Sequence, residues 1–407
     1  MAALRADPSV ALVEKQADMT VLTDQNLAGI ANSWGLDQID QRGGQNNLYQ
    51  YFYSGTGVRI YIVDTGVRGG HAEYTSRRIL TGNFGLNGSD PWTDANGHGT
   101  RMTGQAAGLT FGPGRGASIQ SVRVLLDADG RCSNCDGDIA TGLNWIAQNG
   151  IRPAVVNFSL GGTDDNNGAL PGTVRAAIIG LVSAGYVVIV SAGNGGEDGV
   201  ADDVCNSNYA GLPEGAIVVS AVNVLRHRVG NAGFGPCIDV FAPGELTATS
   251  GNANDNDVTT TGGASGATEF VSGVAAAILQ QNPGFSPYQV NYIIWGSASR
   301  NLLEPSDLGA GCPNFFLNSL HRLVVGRRPI DSGDGWHANH RDLDDDRRRR
   351  ERELDVPLGG PNQQRKLDNR RHRVLLHPNF PEVGILTRCG SGYRQRRSGK
   401  PSPMSGP

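Results

Sequence analysis

The sequence predicts an α/β fold with helices layered around a mostly parallel sheet. Three observations carry this. Short apolar runs rich in Val and Ile recur along the chain, and segments with helical spacing separate several of them. An aromatic content of 6% alongside 58 glycines favours helices packed tightly on a sheet over a β-sandwich. Val58–Asp64, V-R-I-Y-I-V-D, is the first such run and ends at Thr65-Gly66. Ile119–Leu126, Ala154–Leu160, Val187–Val190 and Ile217–Val222 follow as further strands. Ile139–Gln148 and Thr173–Ala184 are helical patterns between them. A later helix is predicted to begin at Ser265, with Phe270, Val271, Val274, Ile278 and Leu279 on helical spacing, and to stop at Asn282-Pro283. Strands buried on both faces are the mark of parallel pairing, and functional loops then lie beyond their carboxyl ends. Asp64, Ser159–Gly162 and Ser191–Asn194 fall there.

Charge is unevenly divided. Of 35 Lys and Arg and 39 Asp and Glu, 18 basic and 11 acidic residues follow Gly326, so the net charge of −4 splits into +7 after that residue and −11 before it. An acidic body argues against nucleic acid as a partner. No apolar stretch approaches the roughly 18–20 residues that span a bilayer, which argues against a membrane partner. Beyond about Gly326 the chain turns polar, with Asp344–Asp346 followed by Arg347–Arg350, and its composition is that of a disordered tail. Met1–Gln25 lacks the basic start and apolar core of a secretory signal.

Three glycine-bearing motifs supply an acid, a base and a nucleophile in fixed order: D-T-G at Asp64, H-G-T at His98 and G-A-S at Gly263–Ser265. A serine hydroxyl attacks a carbonyl only with a neighbouring base, and that base needs an orienting carboxylate. The helix predicted at Ser265 would point unpaired N–H groups toward that residue, a favourable place for an oxyanion. D-T-G also marks aspartic proteases, which need two carboxylates sharing one proton. Here the only partner motif is Asp331-Ser332-Gly333, beside the charged tail and without a buried strand before it.

With these motifs the chain resembles the subtilases, subtilisin-like serine proteases, and most closely the proteinase K-like branch. The resemblance runs from Ser33-Trp34-Gly35-Leu36-Asp37 to Gly311–Phe316. It implies a three-layer α/β/α subtilisin-like fold and a serine endopeptidase working through an acyl-enzyme. Ser265 would be the nucleophile, His98 its general base and then acid, and Asp64 the carboxylate behind the imidazole. Asn194, in S-A-G-N, would donate to the oxyanion together with the Ser265 N–H. Ser159-Leu160-Gly161 and Ala192-Gly193 would hold an extended peptide and wall a pocket of broad preference for apolar or aromatic side chains. The implied organisation is a propeptide remnant over 1–27, a catalytic domain over 28–322 and the charged tail over 323–407, with maturation within Gln25–Asn32. Extended peptides or unfolded proteins would be substrates and the enzyme's own propeptide its inhibitor. A secreted monomer is expected, because a truncated propeptide explains the missing signal.

The chain also departs from the family pattern. Arg101-Met102-Thr103-Gly104 follows His98 where H-V-A-G is usual, Ala264 precedes the serine where Thr is usual, and Glu269 stands where the family has Pro. A carboxylate in those first turns suits the helix dipole, but a buried unpaired one is costly. These departures leave a catalytically impaired protease, or a peptide-binding module of the same fold, as the alternative. The resemblance further implies a disulfide between Cys205 and Cys237, and calcium held by Asp37, Asp40 and Gln41 near the mature N-terminus. Cys132 and Cys135 are expected to form a tight surface disulfide, since no second C-x-x-C accompanies them to complete a zinc site.

Overall fold

The computed structural model describes residues 23–128, 135–161, 170–195 and 199–320. In chain order these form β1 (Thr23–Asn26), α1 (Trp34–Ile39), β2 (Leu48–Tyr51), β3 (Arg59–Asp64), β4 (Phe84–Gly85), α2 (His98–Ala107), β5 (Ser118–Arg123), α3 (Cys135–Asn149), β6 (Ala154–Phe158), α4 (Gly172–Ser183), β7 (Val187–Ser191), β8 (Ala216–Val222), β9 (Val240–Pro243), β10 (Thr247–Ser250), β11 (Val258–Thr261), α5 (Gly263–Gln281), α6 (Pro287–Ser297), β12 (Ser299–Arg300) and β13 (Phe315–Phe316).

Among the described residues a 9-stranded sheet runs in the order β12-β13-β9-β8-β7-β6-β3-β5-β4. Every pairing in it is parallel except β12 with β13. The central strands β6, β7 and β8, with sequences AVVNF, VVIVS and AIVVSAV, are buried throughout, the pattern a sheet covered on both faces requires. Helices α2 and α5 pack on one another and on the sheet, while α3 and α4 form the opposite layer. This is the three-layer α/β/α arrangement expected, and the strands and helices foreseen from the sequence are present within a few residues.

Helix α5 runs through the core, buried from Ala264 to Leu279. Its small residues allow close contact with α2: a Cβ at Gly273 would stand 2.5 Å from the Ala106 carbonyl oxygen and from Pro113. Helix α6 is set by a capping box, with Ser286 and Gln289 exchanging hydrogen bonds and Pro287 at the first position.

At the N-terminal side, β1 pairs antiparallel with β2, from Thr23 opposite Tyr51 to Asn26 opposite Leu48. Gln25 Nε2 donates to the Thr110 carbonyl at 2.9 Å, and Leu27 is buried. Residues 23–27, assigned from the sequence to the propeptide remnant, are therefore joined to the body. The tail from residue 321 onward lies outside the described residues, as does Asp331-Ser332-Gly333.

Candidate active site

Asp64 closes β3 and His98 opens α2, and one carboxylate ties these ends together. Asp94 accepts from the Gly97 N–H (2.8 Å), from the Thr100 N–H (2.9 Å) and from the hydroxyls of Thr65 (2.9 Å) and Thr100 (2.6 Å). Thr65 Oγ1 in turn accepts the Gly99 N–H at 3.0 Å. The start of α2 is thus fastened to the residue after Asp64. Asp94 was not singled out in the sequence, although an Asp shortly before a helix is a known capping signal.

This fastening brings His98 Nδ1 to 2.8 and 2.9 Å from the two Asp64 carboxylate oxygens. A carboxylate only accepts, so Nδ1 carries the proton and Nε2 is left as the basic nitrogen. Burial works against a charged imidazole, but the Asp64 charge and hydrogen bond outweigh it and hold His98 above its usual 6.5. Arg101 opposes this rise and Asp94 assists it. Asp64 is fully buried and also accepts the Thr65 N–H at 2.7 Å and the Ser159 hydroxyl at 3.3 Å.

Ser265 is the third residue of α5, so its N–H lacks an intrahelical acceptor. The two preceding N–H groups are used: Gly263 donates to the Gly244 carbonyl at 2.6 Å and Ala264 to Asn194 Oδ1 at 2.7 Å. The second bond turns the Asn194 amide so that its Nδ2 is available. Among the described residues neither Asn194 Nδ2 nor the Ser265 N–H has an acceptor, so two donors are left unspent at the start of α5. Gly263 makes the approach possible. Its φ is +73°, and a Cβ there would lie 2.7 Å from Asn194 Oδ1. The Ser265 hydroxyl itself donates to the Ser159 carbonyl at 2.8 Å, and no hydrogen bond joins it to His98.

Ser159, Leu160 and Gly161 follow β6, and Ala192 and Gly193 follow β7. Ser159, Leu160 and Ala192 are buried, Gly161 is exposed, and Gly161 and Gly193 face one another, a Cβ on Gly161 reaching within 3.9 Å of the Gly193 Cα. The five residues therefore converge from adjacent strand ends beside Ser265.

A profile of the Subtilase family matches residues 55–318. The chain belongs to the subtilase family. That places it among the subtilisin-like serine endopeptidases. It is 35% identical over 318 residues to an extracellular serine proteinase of Thermus sp. (strain Rt41A), covering 78% of this chain and 72% of that one. It is 36% identical over 329 residues to alkaline serine exoprotease A of Vibrio alginolyticus, covering 80% and 57%. Proteinase T of Parengyodontium album is 32% identical over 287 residues, covering 68% and 90%. The crystal structure of a cold adapted subtilisin-like serine proteinase superimposes with a TM-score of 0.62 at 31% identity, covering 71% of this chain and 98% of that chain.

Away from Ser265, this subtilase has the disulfide expected between Cys205 and Cys237, with Cα atoms 5.3 Å apart. Cys132 lies outside the described residues. Cys312 is a free thiol that accepts the Gly235 N–H at 2.9 Å. The residues expected to hold calcium are near each other but differently engaged. Asp37 accepts from the N–H groups of Asn46 (2.9 Å) and Asn47 (2.8 Å) and from Gln41 Nε2 (2.8 Å). Asp40 Oδ1 is buried without a partner, and burial, with the nearby Asp37 charge adding, pushes its carboxyl up to about 7 despite the Gln50 N–H bond. An orphaned buried oxygen beside a second carboxylate suits a hard cation; Gln41 fits only if its amide oxygen turns inward. Among the described residues, no group of three or more His, Cys, Asp or Glu side chains is disposed to hold a metal, and no helix is long and apolar enough to cross a membrane.

Proposed function

We propose that this subtilase hydrolyses peptide bonds with Ser265 as nucleophile, His98 as general base and acid, and Asp64 as the carboxylate that orients His98. The observation that carries the reading is the His98–Asp64 pair, with Nε2 left basic, linked through Ser159 to Ser265 at the start of α5, where two donors are unspent. Ser265 Oγ turns from the Ser159 carbonyl to His98 Nε2, passes its proton there and attacks the substrate carbonyl carbon. The oxyanion accepts from the Ser265 N–H and from Asn194 Nδ2. His98 then protonates the leaving amine, and the acyl group stays on Ser265. A water molecule, deprotonated by His98, attacks the acyl carbon and releases the acid.

Leu160–Gly161 and Ala192–Gly193 provide the two backbones between which an extended peptide pairs as a strand, which suits broad selectivity with apolar or aromatic side chains before the cut. The partners are extended peptides, unfolded proteins and the enzyme's own propeptide. The relative named an extracellular serine proteinase supports secretion. The chain is read as a propeptide remnant over 1–27, a catalytic domain over 28–322 and a tail over 323–407, with β1, at the end of the remnant, paired to β2 of the body. Asp37 and Asp40, with Gln41, would hold a structural calcium ion; a lower Tm in chelator is expected, and an unchanged one removes calcium from the reading.

A second reading, a catalytically impaired pseudoprotease or peptide-binding module of the same fold, is favoured by one observation. The Ser265 hydroxyl is engaged by Ser159 and not by His98. Digestion of a peptide library by the purified enzyme separates the two. Cleavage after apolar and aromatic residues, lost in Ser265→Ala, is expected. Absence of cleavage supports the second reading, and cleavage that persists in Ser265→Ala overturns the first.

A further inference from the structure

A second carboxyl lies in the core behind the Asp64–His98 pair. Glu269 stands four residues beyond Ser265 on α5 and is fully buried. Its Oε1 accepts from Asn157 Nδ2 at 2.8 Å, while its Oε2 has no hydrogen-bond partner. Asn157, on β6, is fully buried too, and Ser272 Oγ donates to its Oδ1 at 2.8 Å. That bond fixes the amide, so both Nδ2 hydrogens are spent, one on Glu269 and the other on Ser159 Oγ at 3.0 Å. Ser159 Oγ donates to Asp64 Oδ2 at 3.3 Å. A continuous path therefore joins Glu269, Asn157, Ser159, Asp64 and His98. Through its carbonyl, Ser159 also holds the Ser265 hydroxyl.

Full burial, a single neutral donor and a bare second oxygen favour an uncharged Glu269. A hydroxyl gives one hydrogen and receives two. Ser159 Oγ gives to Asp64 and receives from Asn157, while Glu269 receives from Asn157 alone. An ionised Glu269 would be a second buried charge behind Asp64, held by one neutral donor. A protonated Glu269 carries no charge to desolvate and leaves the Ser159 hydrogen committed to Asp64. Burial drives the Glu269 carboxyl well above its usual range, the Asp64 charge adds to the rise, and the hydrogen bond from Asn157 offsets only part of it.

We propose that Glu269 is a positioning residue of the active site: an uncharged carboxylic acid that, through Ser159 and Asn157, holds Asp64 in the orientation in which it grips His98. This rests on the assignment of Asp64, His98 and Ser265 as the reacting groups.

The ionisable group acting on Glu269 is Asp64 of β3, with His98 of α2 beyond it; Arg101 and Asp94 act on His98. Strand β6 presents Asn157, with Ser159 just past its end, and α5 presents Ser272. Strands β7, β8 and β9 carry no charged residue. Helix α6 carries the phenols Tyr288 and Tyr292, both exposed.

The test compares Glu269→Gln, which keeps the shape and hydrogen-bonding capacity of a neutral acid, with Glu269→Leu, which keeps bulk and loses both. Titration with a serine-directed phosphonate counts reactive Ser265, so each rate refers to competent enzyme. Glu269→Gln is expected to keep kcat within a few-fold. Glu269→Leu is expected to lose on the order of tenfold in kcat at unchanged KM, as for a hydrogen bond to a charged group. Ionisation of Glu269 would set a second charge behind Asp64, so a loss of wild-type kcat as that proton leaves is the expected outcome. Glu269→Gln has no such proton to lose and stays active to higher pH. A wild-type alkaline limb in Glu269→Gln, or wild-type kcat in Glu269→Leu, overturns the proposal.

Should neither variant fold, infrared absorption of the Ser265→Ala protein decides. A protonated carboxyl band persisting above the range in which solvated carboxyls ionise, and unchanged by Asp40→Asn, is expected. Its absence overturns the proposal. Failure of the phosphonate to label the wild type strikes the catalytic assignment instead, and the infrared band still reports the charge of Glu269.

Discussion

Asp64 and Glu269 are equally buried and stand on the two elements that meet at the site, yet the core treats them differently. Asp64 accepts from His98, from the Thr65 N–H and from Ser159. Glu269 accepts from Asn157, and its second oxygen is bare. Burial disfavours the charged form of Glu269, and the two carboxyls differ in what they meet. Asp64 faces an imidazole that shares its charge. Glu269 faces neutral donors and the charge of Asp64 itself, and keeps its proton. One path of side chains thus has a charged end, which works on His98, and a neutral end, which steadies it.

The charged end gives the largest expected effect. Asp64→Asn should cut kcat by about 10⁴, because an amide can stabilise the wrong imidazole tautomer and no imidazolium; steady-state kinetics on a peptide substrate check this. Retention of activity within tenfold would place the work of Asp64 elsewhere. Asn194→Ala lies off the path and serves as the contrast. It should lower kcat by ~10²–10³ with KM and the pH midpoints unchanged, since it removes a donor to the oxyanion and no charge. A loss confined to KM would remove Asn194 from that role.

Smaller effects refine the pair. His98 acts as a base only when neutral, and its Asp64 partner favours the protonated form. Activity should therefore fall as pH drops through a midpoint above 6.5. The same shift stabilises the fold below 6.5, and that stabilisation is lost as pH rises through the folded-state value. Arg101 lowers the His98 value, so Arg101→Ala should move the acid limb of kcat/KM to higher pH. A shift to lower pH would contradict the charge arrangement around His98.

Much of this was legible in the sequence. The apolar strands announced the sheet, and three short motifs announced Asp64, His98 and Ser265. Helix α2, HGTRMTGQAA, was missed because Gly and Thr replace the apolar spacing that marks a helix. Strands β4, β12 and β13 are too short to show alternation, at 2 residues each. Glu269 was visible as a departure from the family pattern, but its role was not. Its partner Asn157 lies 112 residues away, and only the packing of α5 on β6 brings the two together. The engagement of Ser265 by the Ser159 carbonyl is likewise a tertiary fact, spanning 106 residues.

The central claim is that Ser265 is a nucleophile activated by the His98–Asp64 pair. Labelling with a serine-directed phosphonate, read by intact mass and peptide mapping across pH, tests it most directly. The account expects one adduct per chain, located on Ser265 and absent from Ser265→Ala, forming at a rate that falls as His98 becomes protonated. No adduct in the wild type, or an adduct that survives Ser265→Ala, would contradict it.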